Sequence, residues 1–283
     1  MLTITPLHRD VAACIEGVNL ASGLSSTVHT RIKRAFRQHA VLIFRAQGNL
    51  SREQFRGFAA IFGKPSNCDD ITNLDVEGNI LDPSDINARY AKGNTIWHMD
   101  VPFIERPPLA SLLLARELPS GGGGQTQFVD LAAAWRSLLR TRKVELRKLR
   151  AIHDLETARR KVGITDPTEL KSPYSAGEHP LVSVDPISGK ETLYFSAHTV
   201  QIKGKSKEQS DALIDSLFRE STREASIYPH SWQPYDLLIW ANRRTLHRVL
   251  PFDEKNAKRR LWRAEVLADQ PPMPAAWWQR SVG

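Results

Sequence analysis

Apolar positions along the chain switch between two spacings. Val28, Ile32 and Phe36 recur every four residues, which predicts a helix over residues 27–38. The apolar run from His39 to Phe44 is of strand type. Ser51-Arg-Glu-Gln54 has the form of a capping box, in which the serine hydroxyl accepts from the Gln54 amide and the Gln54 side chain reaches back. The helix expected after it carries Phe55, Phe58, Ala59 and Phe62 and ends at Gly63. Residues 64–94 are rich in Asn, Asp, Gly, Pro and Ser, and predict loops around short strands. Residues 109–116 again read as a buried strand. Gly121 to Gly124 then predict a tight turn using positive φ, since no GK[ST] follows to make a phosphate loop. A strand over 125–129 leads to Asp130, placed to cap a helix over 131–139.

Residues 136–150 interleave Leu138, Leu139, Val144, Leu146 and Leu149 with cations, the pattern of a surface helix pair. Residues 151–177 look irregular and polar, and residues 179–195 read as a hairpin around a turn at 185–189. Ser206-Lys-Glu-Gln209 forms a second capping box before a helix with Leu213, Ile214, Leu217 and Phe218 on one face. Strands return at 236–241 and 260–267. Many short strands with helices at the N-terminus and in one central insert predict a mainly β fold with added helices (α+β), a β-sandwich or jelly roll. Residues 1–283 are expected to form one domain, with a lid-like segment at about 64–94 and a helical insert at about 130–178.

Composition narrows the class. Apolar residues make up 41% of 283, enough for a large core, and no run approaches the roughly 18 residues that span a bilayer. The first residues lack a basic segment followed by an apolar block, so they read as mature sequence. Cys14 and Cys68 form no CxxC and cannot build a disulfide scaffold. A reducing cytoplasm is the expected setting. The net charge of +8 raises the question of a nucleic-acid partner, but solvated cations on a surface helix pair explain much of it.

The chemistry centres on Asn94-Thr-Ile-Trp97-His98-Met-Asp100. In an extended segment, residues i and i+2 share a face, so His98 and Asp100 can offer one nitrogen and one oxygen to one metal ion. His247, directly after the strand at 236–241, is the candidate third ligand. Two histidines and one carboxylate with the opposite side open suit non-haem Fe(II). Along the last strand Arg259, Leu261, Arg263 and Glu265 alternate onto one face. Inward guanidinium groups need anions, and a ligand carboxylate fits their planar fork.

These residues, in this order, resemble the taurine/2,4-dichlorophenoxyacetate dioxygenase (TauD/TfdA) family, which uses Fe(II), 2-oxoglutarate and O2. The resemblance runs over essentially the whole chain. It includes Val41-Leu-Ile-Phe-Arg45, residues 94–103, residues 123–130 and Trp240-Ala-Asn242-Arg243-Arg-Thr-Leu-His247-Arg248. It implies the double-stranded β-helix, a distorted jelly roll. It also implies His98, Asp100 and His247 as iron ligands, and Thr126 and Arg259 as partners of the distal carboxylate of 2-oxoglutarate. Arg263 matches a second arginine near the keto acid and substrate anion, and Trp240 a tryptophan packed near the metal. The spacing from His247 to Arg259 is one residue longer than the family's, which leaves Arg260 as a rival. Candidate substrate contacts are Arg263, Asn94, His198 and Asn73. The implied reaction releases succinate and CO2 while a small anionic organic substrate is hydroxylated, with C–O cleavage where the carbon bears an ether oxygen. An aryloxyalkanoate-like acid is the expected substrate. A taurine-type sulfonate, or an amino-acid derivative oxidised or desaturated in a biosynthetic pathway, is the alternative. A basic nucleic-acid-binding module is the remote one. A homo-oligomer is expected by analogy, with no nucleic-acid or membrane partner.

Overall fold

Strands buried on both faces read as unbroken apolar runs, and the centre of the largest sheet holds two of them, Val41–Phe44 and Leu237–Ala241. A computed structural model describes residues 2–274. Seven strands lie in the order Thr3–Pro6, Ala12–Glu16, Val41–Phe44, Leu237–Ala241, Ala110–Glu117, Arg260–Val266 and Asp69–Thr72. One face of this sheet presents Leu42, Phe44, Leu112, Leu114 and Ile239 to the helices Ser26–Gln38 and Arg52–Ala59, which contribute Ile32, Phe36, Phe55 and Phe58. The opposite face presents Ile43, Leu113, Leu238, Trp240 and Leu261 to Phe128 and Tyr228. Those two belong to a small sheet of Tyr228–His230, Thr126–Asp130 and Thr245–Val249. Alternation then places Val129 and Leu246 on the far side of the small sheet, against Trp135, Leu146 and Leu217. The result is two sheets face to face with helices outside both, the jelly-roll architecture expected from the sequence.

Both capping boxes form as the sequence predicts: Ser51 with Gln54 and Ser206 with Gln209. Asp130 accepts from the Ala132 amide and caps Leu131–Ser137. Gly122, Gly123 and Gly124 take positive φ in the turn before Thr126. The second helix of the basic pair is Arg140–Leu146. Cations in and around this pair meet carboxylates: Arg136 with Asp10, Arg142 with Glu220, Arg147 with Glu191 and Arg150 with Glu178.

Residues 151–177 differ from their irregular reading. They begin within the strand Arg150–His153 and hold the helices Leu155–Lys161 and Pro167–Leu170. The strand is short and paired with Thr199–Ile202 and Gly177–Pro180, so its partners lie outside any local window. The hairpin expected over 179–195 is confined to Val182–Val184 and Glu191–Leu193, because His179 is taken by the other pairing. Among the described residues, no helix is long and apolar enough to cross a membrane.

Candidate active site

His98 and His247 are tied through their backbones. Each amide donates to the other's carbonyl, at 3.0 and 2.9 Å, and the two rings stand 4.1 Å apart. This is an isolated bridge rather than the regular strand expected around His98. The chain turns away after Asp100, where Val101 takes a φ of 45°. A β-branched residue in that left-handed region costs about 1–3 kcal/mol unless its surroundings enforce it. Asn242 supplies the enforcement: its Oδ1 accepts from the Asp100 amide at 2.8 Å and its Nδ2 donates to the Asp100 carbonyl at 2.9 Å. Met99 is buried in the core behind, so the i, i+2 parity of His98 and Asp100 survives without a strand.

One ligand atom from each of His98, Asp100 and His247 lies within 4.8 Å of the other two. His98 Nδ1 sits 2.8 Å from the Ile96 carbonyl, which can only accept, so Nδ1 holds the proton and Nε2 keeps its lone pair. Asp100 Oδ2 accepts from the Ser111 hydroxyl at 2.6 Å. Its Oδ1 is 3.7 Å from His247 Nε2 and 3.8 Å from an Arg263 nitrogen. Burial by itself would raise the Asp100 pKa, but His247, Arg263, His98 and Ser111 outweigh it and hold the carboxyl below its usual range. Burial pushes both triad imidazoles down, and their mutual repulsion adds to the drop at His247. Two neutral imidazoles and an ionised carboxylate, all short of partners on one side, fit a divalent metal such as Fe(II).

The same physics governs stability. His39, His98, His153, His179, His198, His230 and His247 all have pKa values lowered, foremost by burial. Below about pH 6.5 an unfolded histidine gains a proton that the folded one refuses. The unfolded state then binds more protons, so stability is lost as pH falls through that region. The metal-free protein, kept in chelator, is expected to melt more than about 5 °C lower at about pH 5 than at about pH 7.5. Equal midpoints by differential scanning calorimetry would contradict this assignment of protonation states.

Arg259 lines the same cavity as the triad. It is 7% exposed. Among the described residues its guanidinium makes one long hydrogen bond, to the Gly124 carbonyl at 3.4 Å, and its Nε makes none. Burial lowers its pKa to about 10, with Glu254 opposing. Its rival Arg260 sits at a bulge in the pairing with Ala110–Glu117, which shifts it opposite Glu117. There it is 41% exposed in an ion pair at 3.3 Å. Beyond the bulge Leu261, Arg263 and Glu265 pair with Ala115, Leu113 and Ser111, so the predicted alternation holds. Arg263 is engaged by Glu265 and Asp100; burial alone would lower its pKa, and the two carboxylates raise it instead.

Thr126, Asn94 and Trp240 line the same cavity as the triad, Arg259 and Arg263. The Trp240 ring is 4.9 Å from that of His247. His198 does not line this cavity; it packs at 5.4 Å on Phe103 with its Nδ1 3.3 Å from the Ser196 hydroxyl. Asn73 borders an adjoining space, but its side chain is fully engaged. It accepts from the Arg259 amide at 2.8 Å and donates to the carbonyls of Ala257 and Glu254 at 2.9 and 3.0 Å. It is a clamp that seats Arg259 rather than a group free to meet a substrate.

Three residues of the site escape a reading of the sequence. Ser111 looks like any serine in an apolar strand, although strand parity with Glu265 could have pointed inward. Trp232, whose indole donates to the Thr126 hydroxyl at 3.0 Å, lies in a polar turn. Asn242 stands inside the Trp240–His247 run but carries no sign that it would grip Asp100.

The chain is similar to known proteins over nearly its whole length. Residues 3–264 match the family described as taurine catabolism dioxygenase TauD, TfdA family. The α-ketoglutarate-dependent 2,4-dichlorophenoxyacetate dioxygenase of Cupriavidus pinatubonensis is 32% identical, over 93% of this chain and 97% of its own. The α-ketoglutarate-dependent sulfate ester dioxygenase of Pseudomonas putida is 31% identical, over 96% and 91%. The crystal structure of AAD-2 in complex with Mn(II) and N-oxalylglycine superposes with a TM-score of 0.89 at 29% identity, over 97% of this chain and all of that one. The chain belongs to the TauD, TfdA family and is an α-ketoglutarate-dependent (2-oxoglutarate-dependent) dioxygenase.

Proposed function

We propose that His98, Asp100 and His247 hold Fe(II), that Arg259 and Thr126 hold the distal carboxylate of 2-oxoglutarate, and that the enzyme hydroxylates a small organic anion, of which an aryloxyalkanoate-like acid fits best. The observation that carries this reading is Arg259, a buried cation that lines the same cavity as the triad and has no ion-pair partner among the described residues. A buried charge is tolerated where its counter-ion is part of the working state. The guanidinium fork matches a carboxylate, and the Thr126 hydroxyl stands beside it. When bound, the iron supplies O2 activation driven by conversion of 2-oxoglutarate to succinate and CO2.

The chain's own residues set the conditions. His98 and His247 stay neutral, and Arg263 keeps Asp100 ionised, so all three ligands are ready without releasing a proton near neutral pH. Trp240 packs on the His247 ring and fixes its plane. Next to the triad cavity, and sharing Ile71, Asn94, Val249 and Arg259 with it, is a space of about 540 Å³. The segment 64–94 supplies much of its wall, with Leu81, Ala88 and Phe252 among its lining residues. These apolar walls suit an aryl or alkyl body. The sulfate ester dioxygenase among the relatives supports a second reading, in which the anion is an alkyl sulfate.

The test is an anaerobic titration of the protein with Fe(II) and 2-oxoglutarate, following the weak visible charge-transfer band of the chelate. The band is expected to appear, and phenoxyacetates are expected to perturb it and to stimulate succinate release. Folded protein without a band would overturn the metal and co-substrate assignment. A response to alkyl sulfates or taurine, but not to phenoxyacetates, would replace the substrate class alone.

A further inference from the structure

Thr126 sits opposite His230 in the antiparallel pair of Thr126–Asp130 and Tyr228–His230. Two residues beyond His230, the Trp232 indole crosses back, and its Nε1–H donates to Thr126 Oγ1 at 3.0 Å. An indole nitrogen can only donate, and a hydroxyl carries a single proton. The Thr126 oxygen therefore already serves as an acceptor, and its proton must point elsewhere. The open direction is the cavity that Thr126 lines with Arg259.

We propose that Trp232 is a positioning residue that biases the Thr126 hydroxyl to donate toward the distal end of the co-substrate, and so favours an ionised carboxylate there over a neutral amide of the same shape. The inference rests on the reading that Arg259 and Thr126 receive that end. With the indole on one lone pair, the hydroxyl proton is turned toward the cavity, where a carboxylate oxygen accepts it and an amide N–H has only the remaining lone pair to compete for. Without it, the hydroxyl is free to turn and accept. Trp232 is itself braced for this task. Its ring stands edge-on to His230, at 4.8 Å and 88°. His230 Nε2 lies 3.1 Å from Asp236 Oδ2, which also accepts from the Gln233 amide at 2.8 Å and pairs with Arg45. The segment carrying the indole is thus pinned on both sides of Trp232.

The experiment measures steady-state succinate release with 2-oxoglutarate, inhibited competitively by N-oxalylglycine or by its glycinamide counterpart, which is neutral at the distal end. Trp232→Phe is expected to raise the KM for 2-oxoglutarate about tenfold while kcat changes less than about twofold. It is also expected to shrink the preference for N-oxalylglycine over the amide by about tenfold. In a Thr126→Val background, Trp232→Phe is expected to add nothing. An unchanged preference in Trp232→Phe, or an equal effect of that change with and without the Thr126 hydroxyl, would overturn the proposal. If Trp232→Phe does not fold, Trp232→Met and Trp232→Leu, which also lack the indole N–H, take its place, and an unchanged preference in a folded variant would overturn the proposal. Arg259→Ala is the reference. If it moves the KM and Trp232→Phe does not, this inference fails alone; if neither does, the reading beneath it fails as well.

Discussion

Arg259→Ala is expected to raise the 2-oxoglutarate concentration needed for half-maximal succinate release by about 100- to 1000-fold. Removing one partner of a buried, hydrogen-bonded charge pair costs about 3–5 kcal/mol, and each 1.4 kcal/mol is tenfold. The surroundings make this a site of that kind. The guanidinium is shielded from water, it donates only one long bond within the protein, and Asn73 fixes its backbone. Arg260→Ala provides the contrast. Its side chain is 41% exposed and its partner is Glu117, so the change is expected to alter the same KM by less than about threefold. The reverse ranking would show that Arg260 is the residue that meets the carboxylate. A second readout separates binding from folding. In the absence of 2-oxoglutarate, Arg259 is a buried cation without a close anion, so Arg259→Met is expected to raise the melting temperature of the metal-free protein. A lower one would mean that Arg259 braces the fold.

The second large effect is expected at the triad. His98→Ala and Asp100→Ala should each abolish Fe(II)-dependent succinate release and weaken metal binding by more than about 100-fold, beyond the loss typical of a residue that only orients a ligand. Titration with Mn(II), followed by electron paramagnetic resonance, measures the affinity without turnover. The fold should survive. Asp100 is held by backbone bonds through Asn242, which alanine retains, and Arg263 keeps Glu265 as a partner. Normal metal affinity in either variant, with intact circular dichroism, would show that these side chains do not hold the metal.

How much of this could be read from the chain varies with how local each cause is. The capping boxes at Ser51 and Ser206 act within four residues, and both are found where the sequence puts them. The runs at 41–44, 110–117 and 237–241 are apolar on both sides because the sheet they build is covered on both faces, so composition alone marks them. The strand Arg150–His153 shows the opposite case. It is four residues long with a charged start, and it exists because chain some 25 and 50 residues away pairs with it. Local pattern carries no trace of such partners. The segment at 98–100 lies between these cases. The parity of His98 and Asp100 is local and was legible; the bridge to His247 and the grip of Asn242 are not.

The sequence by itself determined the composition of the site: two histidines and an aspartate of one donor set, and two arginines alternating along one strand. Side-chain chemistry and a two-residue period need no knowledge of the fold. Only the tertiary structure decided which groups are short of partners. Burial of Arg259, exposure of Arg260 at a bulge, commitment of Asn73 to the backbone, and the hydrogen bond from Trp232 to Thr126 all depend on chain segments between about 100 and 190 residues apart. Solvent exclusion and hydrogen-bond competition are properties of that packing. They turn a list of polar residues into one cavity lined by a candidate metal-ligand set and a buried cation.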